Sequence, residues 1–122
     1  MTPKGSLAAF ALDLTEKQVE SQCDQLMKSL GWSVIRFSQP RNTMQTLGIP
    51  DRRYYPPDTG DRAIPIYAFW MEVKREGGKQ SPHQAKFQAV CEAAGDNYVL
   101  GGVAELVKYL NDAGISKMRL NP

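Results

Sequence analysis

The six residues Phe69-Trp70-Met71-Glu72-Val73-Lys74 constrain this chain more than any others. An apolar, aromatic run of this kind belongs in a buried central strand, yet it ends by taking up an acid and a base two residues apart. Side chains alternate along a strand, so Glu72 and Lys74 emerge on one face, their Cα atoms roughly 6–7 Å apart. Val73 turns the other way into the sheet, which leaves its carbonyl beside the two charged groups. A carboxylate, a carbonyl and an ammonium converging on one point can hold a hard divalent cation next to a water. The same pair on a solvated face is an ordinary cross-strand ion pair. Gly48-Ile49-Pro50-Asp51 supplies a second acid some twenty residues earlier, Asp51, just after a proline and near a strand end where a side chain is easily exposed; the residues by themselves leave both readings open.

The chain has 122 residues, enough for one domain with a modest core, and its 42% hydrophobic content is that of a globular protein. Residues 1–14 read as an N-terminal arm and 15–122 as the single domain. A net charge of +2 does not by itself announce a nucleic-acid partner, so any basic surface must be local. No apolar run approaches the ~20 residues that span a bilayer. The run from Leu7 to Leu12 is too short for a signal peptide, so no membrane role is expected and the expected compartment is the cytoplasm. Cys23 and Cys91 each fall on an apolar helix stripe and read as buried free thiols.

Thr15-Glu16-Lys17-Gln18 has the capping-box form and opens a helix whose stripe is Val19, Cys23, Leu26, Met27 and Leu30, closed by Gly31. Glu20 lies at the edge of that stripe. Trp32 to Ser38 and Leu47 to Tyr55 read as strands or extended segments, followed by a polar loop from Pro56 to Arg62. Ile64 to Lys74 is the central strand, with regular pairing starting after Pro65. Ser81-Pro82-His83-Gln84 opens a second capped helix with Phe87, Val90, Cys91 and Ala94 as its stripe. Tyr98 to Leu100 is a short strand, Val103 to Ala113 a last helix with Leu106, Val107 and Leu110 inward, and Ile115 to Pro122 a tail that can add a strand. The order is α-β-β-β-α-β-α: an α/β domain, a small mixed sheet flanked by helices. The unit from Phe69 to Leu100 should be a parallel crossover. Gly101-Gly102 precedes a helix without the fuller glycine fingerprint of dinucleotide binding, so no nucleotide cofactor is expected.

With these residues placed, the chain resembles a virus-type replication-repair nuclease (VRR-NUC) domain, a branch of the PD-(D/E)xK superfamily whose core is restriction-endonuclease-like. The resemblance runs from about residue 15 to 113. It rests on Glu20 in the first helix, Gly48-Ile49-Pro50-Asp51, Trp70-Met71-Glu72-Val73-Lys74, the Gly-Gly-Lys loop, and Ser81-Pro82-His83-Gln84. It implies a Mg²⁺- or Mn²⁺-dependent endodeoxyribonuclease, stand-alone members of the family being expected to act as homodimers on branched DNA such as four-way junctions. Asp51 and Glu72 would bind the metal, the Val73 carbonyl would complete the shell, and Glu20 would be a further ligand, direct or through water. Lys74 would orient the attacking water and steady the developing charge, and Gln84 would support the site from its helix start. The number of ions is left open. A nonspecific or restriction-type cutter, and a DNA-binding module of the same fold without activity, are the alternatives. The extra loop between Asp51 and Glu72 departs from the family pattern.

Arg41, Arg52, Arg53, Arg75, Lys79 and Lys86 cluster near the proposed site and are candidate phosphate contacts. No base-reading motif is present, so recognition of shape and backbone is expected. Of the strand tyrosines, Tyr54 and Tyr55, packing is expected before base stacking.

Overall fold

The computed structural model describes residues 14–37, 47–57 and 67–113. The 1–13 stretch of the arm, Arg41, the 58–62 stretch of the polar loop, Ile64 to Ile66 and the tail from Gly114 lie outside the described residues.

Helix α1 spans Glu16–Ser29, strand β1 Ser33–Arg36, β2 Arg52–Tyr55 and β3 Phe69–Val73; helix α2 spans Pro82–Ala94, strand β4 Tyr98–Gly101 and helix α3 Val103–Asp112. The order α-β-β-β-α-β-α is the one expected from the sequence. Both predicted capping boxes form. The Thr15 hydroxyl accepts from the Gln18 N–H while Gln18 Oε1 accepts from the Thr15 N–H, and Ser81 and Gln84 repeat the arrangement. Gly95, at φ 77°, closes α2 in the left-handed region that glycine enters without penalty.

Four strands form one sheet in the order β1-β2-β3-β4. The first two pairings are antiparallel and β3 runs parallel to β4, with α2 in the connection between them. The sheet is therefore mixed. One face carries the main core. Phe69, Met71, Val73, Tyr54 and Val99 meet Val19, Cys23 and Met27 of α1 and Leu106 and Leu110 of α3. Phe69 sits at its centre, with ring centroids 5.5 Å from Trp32, 5.4 Å from Tyr54 and 4.7 Å from Tyr109. Truncating such a ring costs about 3–5 kcal/mol. On the other face α2 covers Trp70 through Phe87, at 5.3 Å.

Several expectations need correction. The second strand starts at Arg52 and not at Leu47, because Gly48 turns the chain at φ 85° and its Cα is pressed against the His83 carbonyl at the start of α2. The third strand starts at Phe69, with Tyr67 and Ala68 before it in irregular backbone. The α2 stripe is narrower than its pattern: Phe87 and Cys91 turn inward, whereas Val90 is 61% exposed, since the helix covers only the Trp70–Tyr98 part of the sheet. In α3, Val107 faces outward and Tyr109 packs against the core in its place. Ile35 in the edge strand is exposed. Cys23 and Cys91 are buried and free. No helix among the described residues is long and apolar enough to cross a membrane.

Candidate active site

The β2–β3 register decides where the acids meet. Arg52 pairs with Met71, and one further step along the same antiparallel register sets Asp51 beside Glu72. The turn at Gly48 seats this end of the chain on the α2 N-terminus, so Asp51 leaves a braced loop and enters the sheet directly. Glu72 continues the strand on the Trp70 face, and Lys74 follows on the same side with Nζ 3.9 Å from Glu72 Oε2. From the opposite face, α1 brings Glu20 to the same sheet end, next to the buried Val19.

The electrostatics are those of crowded acids. Glu72 is 5% exposed, and its Oε1 has no hydrogen-bond partner; Asp51 Oδ1 is likewise closed off and unpartnered. Burial first, and then the Asp51 charge, push the Glu72 carboxyl up to about 7, against the pull of Lys74. Burial also leads in raising Glu20 to about 7, followed by its hydrogen bond with Asp51, while Arg52 acts the other way. Two shielded carboxylate oxygens without donors are rare in a folded protein, and each carries a desolvation penalty of about 1–3 kcal/mol. A cation would satisfy both. Hard divalent ions take oxygen ligands, so Asp51, Glu72 and the neighbouring Val73 carbonyl are a chemically suitable donor set for Mg²⁺ or Mn²⁺. Among the described residues no three His, Cys, Asp or Glu side chains are drawn together closely enough to grip an ion as they stand.

Glu20 meets both Asp51 and Arg52, and Arg52 is the largest departure from the sequence reading. Arg52 was expected at phosphates; it is 5% exposed and faces α1. Its Nε and NH2 donate to Asp24, at 2.8 and 3.2 Å, while NH1 lies 3.0 Å from Glu20 Oε1 and 3.3 Å from Asp51 Oδ2. Tyr54 Oη adds 2.7 Å to Asp24 Oδ1 and Arg36 adds 2.7 Å to Oδ2. Burial alone would raise the Asp24 carboxyl, but these donors hold it below the ordinary carboxylate value. The same burial would lower Arg52, and its acid partners overcome it. Asp24 was missed in the sequence. The available signal was spacing: Glu20 and Asp24 lie one helical turn apart, and Arg52 and Tyr54 share one strand face.

Arg53, also expected at phosphates, turns to the other sheet face. It lies 4.8 Å over the Trp70 ring and 3.4 Å from both Asp96 oxygens, where Trp70 Nε1 donates at 3.0 Å. Arg75, Lys79 and Lys86 are exposed as expected. Arg75 and the Gly77-Gly78 turn border an open groove of about 410 Å³ that starts at Lys74 and ends at Gly101-Gly102. Gln84 stands at the start of α2 against Gly48, with its Oε1 engaged in the Ser81 cap. Tyr54 is buried as expected.

The fold is that of a mixed α/β domain, four strands and three helices, with Asp51 and Glu72 side by side at one sheet end. A solved structure described as a VRR_NUC domain shares this architecture at a TM-score of 0.58 and 24% sequence identity, over 80% of this chain and 94% of that one. That likeness establishes the fold. No family model and no curated protein matches the chain.

Proposed function

We propose that the protein is a divalent-metal-dependent endodeoxyribonuclease that cuts branched DNA as a homodimer. The observation that carries this reading is the pair of shielded, unpartnered oxygens, Asp51 Oδ1 and Glu72 Oε1, beside Lys74 on this fold. Asp51, Glu72 and the Val73 carbonyl would hold Mg²⁺ or Mn²⁺, which would lower the pKa of a water and offset charge on the scissile phosphate. Lys74, anchored by Glu72, orients that water and stabilises the charge growing on the phosphate oxygens. Gln84 steadies the α2 start on which the Gly48 turn rests. Arg75, Lys79 and Lys86 meet the DNA backbone, and the groove beside Lys74 takes one strand. The absence of a base-reading motif from the sequence supports recognition of shape. A four-way junction is two-fold symmetric, so paired cuts need two related sites and hence two chains.

The test is cleavage of a labelled four-way junction, a splayed arm and a linear duplex with Mg²⁺ or Mn²⁺, for wild type and Lys74→Ala side by side. Paired cuts near the branch, lost in the variant, are expected. Equal cutting of all three DNAs would keep the chemistry and remove the selectivity. Junction binding without any cutting by wild type would leave a DNA-binding module of this fold.

A further inference from the structure

Arg52 occupies an unusual place for a cation, in a cluster of acids that the reading above assigns to metal binding. We propose that Arg52, locked by Asp24, is a positioning residue that bridges Glu20 and Asp51 as a resident cation. The site therefore takes one divalent ion, on the Asp51–Glu72 side, and Glu20 stays outside that ion's inner shell. This inference rests on the nuclease reading.

The guanidinium fork divides its donors. Nε and NH2 face Asp24, which leaves NH1 aimed at Glu20 Oε1 and Asp51 Oδ2, at 3.0 and 3.3 Å. A divalent ion held by those same two oxygens would lie against the fixed positive charge of the guanidinium, which repels it and competes for both oxygens. Arginine cannot shed its proton to make room. Nor can it swing out freely: its side chain is 6% exposed, and leaving would strand Asp24, whose side chain is 3% exposed, as a buried charge partnered only by Tyr54 and by Arg36. The same contact settles which oxygens remain. Asp51 gives Oδ2 to Arg52 and keeps Oδ1 unpartnered, and the one other buried unpartnered carboxylate oxygen among the described residues is Glu72 Oε1. Arg52 thus engages one oxygen each of Asp51 and Glu20 and leaves Asp51 Oδ1 and Glu72 Oε1 for an ion. Two fixed cations, Arg52 and Lys74, then flank the acid pair from opposite sides.

The experiment counts Mn²⁺ on the full chain by calorimetric titration and electron paramagnetic resonance. Wild type should bind one ion per chain. Asp24→Asn/Arg52→Gln, which removes both charges of the buried pair together, should bind two, with the signal of a spin-coupled pair. Arg52→Lys keeps the charge and should remain at one. A purely structural role for Arg52 would not add an ion. Two ions on wild type, or a single ion on the double variant with its circular dichroism unchanged, would overturn the proposal. If the double variant does not fold, Glu20→Gln decides: it should still bind one Mn²⁺ per chain, weakened by no more than the about 10–100-fold that loss of an outer partner costs. Abolished binding in Glu20→Gln would overturn it. Wild type that binds no Mn²⁺ and cuts nothing would instead sink the nuclease reading, whereas two bound ions sink this one alone.

Discussion

Asp24 and Asp51 touch the same guanidinium and live in opposite conditions. Asp24 receives four donors, from Arg52 twice, Tyr54 and Arg36, and both its oxygens are satisfied. Asp51 receives Arg52 on one oxygen and nothing on the other, and Glu72 beside it is in the same state. One region is built to hold its charge, the other to offer it. The difference teaches where to look for chemistry in a fold whose acids are many: a saturated buried carboxylate supports structure, and an unsaturated one is kept in readiness for a ligand.

The comparison breaks most visibly at Arg52. Arg52→Met removes the partner of a buried acid and should lower stability by about 3–5 kcal/mol, read from urea unfolding. Acid should attack the same region. Asp24 lies below its ordinary value in the folded chain, so its pairing stabilises fully above about pH 4, the unfolded carboxylate range, and is lost as the pH falls through the folded value. The groups facing it are Arg52 and Tyr54 from β2, Arg36 from β1, and Cys23 and Glu20 from its own helix. The acid midpoint of unfolding should therefore rise in Tyr54→Phe, which deletes one donor. At neutral pH that variant should lose about 1.5–3 kcal/mol, the range for a hydrogen bond to a charged group. An unchanged acid midpoint would mean that Asp24 is not the group being titrated.

The smallest effect has the opposite sign. Glu72→Gln removes a buried charge that lies among other acids and whose Oε1 has no hydrogen-bond partner, so the metal-free protein should gain about 1 kcal/mol while cleavage disappears. Stability and activity would then move in opposite directions at Glu72 and together at Arg52. Thermal melts in chelator, run beside junction cleavage in Mn²⁺, read both. A destabilised Glu72→Gln would place Glu72 with the structural acids and remove the contrast.

Much of this was legible in the sequence because it depends on residues near one another along the chain. The two capping boxes, the closure of α2 at Gly95, and the shared face of Glu72 and Lys74 all follow from spacings of two to four residues. Local periodicity also led to the order α-β-β-β-α-β-α, and Pro50 to Asp51 near a strand end, one residue before Arg52 opens β2. It misled where burial depended on what covers a face. Val90 fits the α2 stripe, yet that helix is too lightly covered to use it.

By itself, the sequence determined the elements, their order and the acid-x-lysine strand end, since backbone hydrogen bonding and side-chain alternation are local and the code for them is short-range. Only the tertiary structure decided which charges serve whom. Arg52 and Arg53 are neighbours in a basic pair, and the pleat sends one to Asp24 beneath the sheet and the other to Asp96 and Trp70 above it. No spacing along the chain records that choice. It is made by the β2–β3 register and by the helix packed on each face, which fix the distances on which every charge interaction depends.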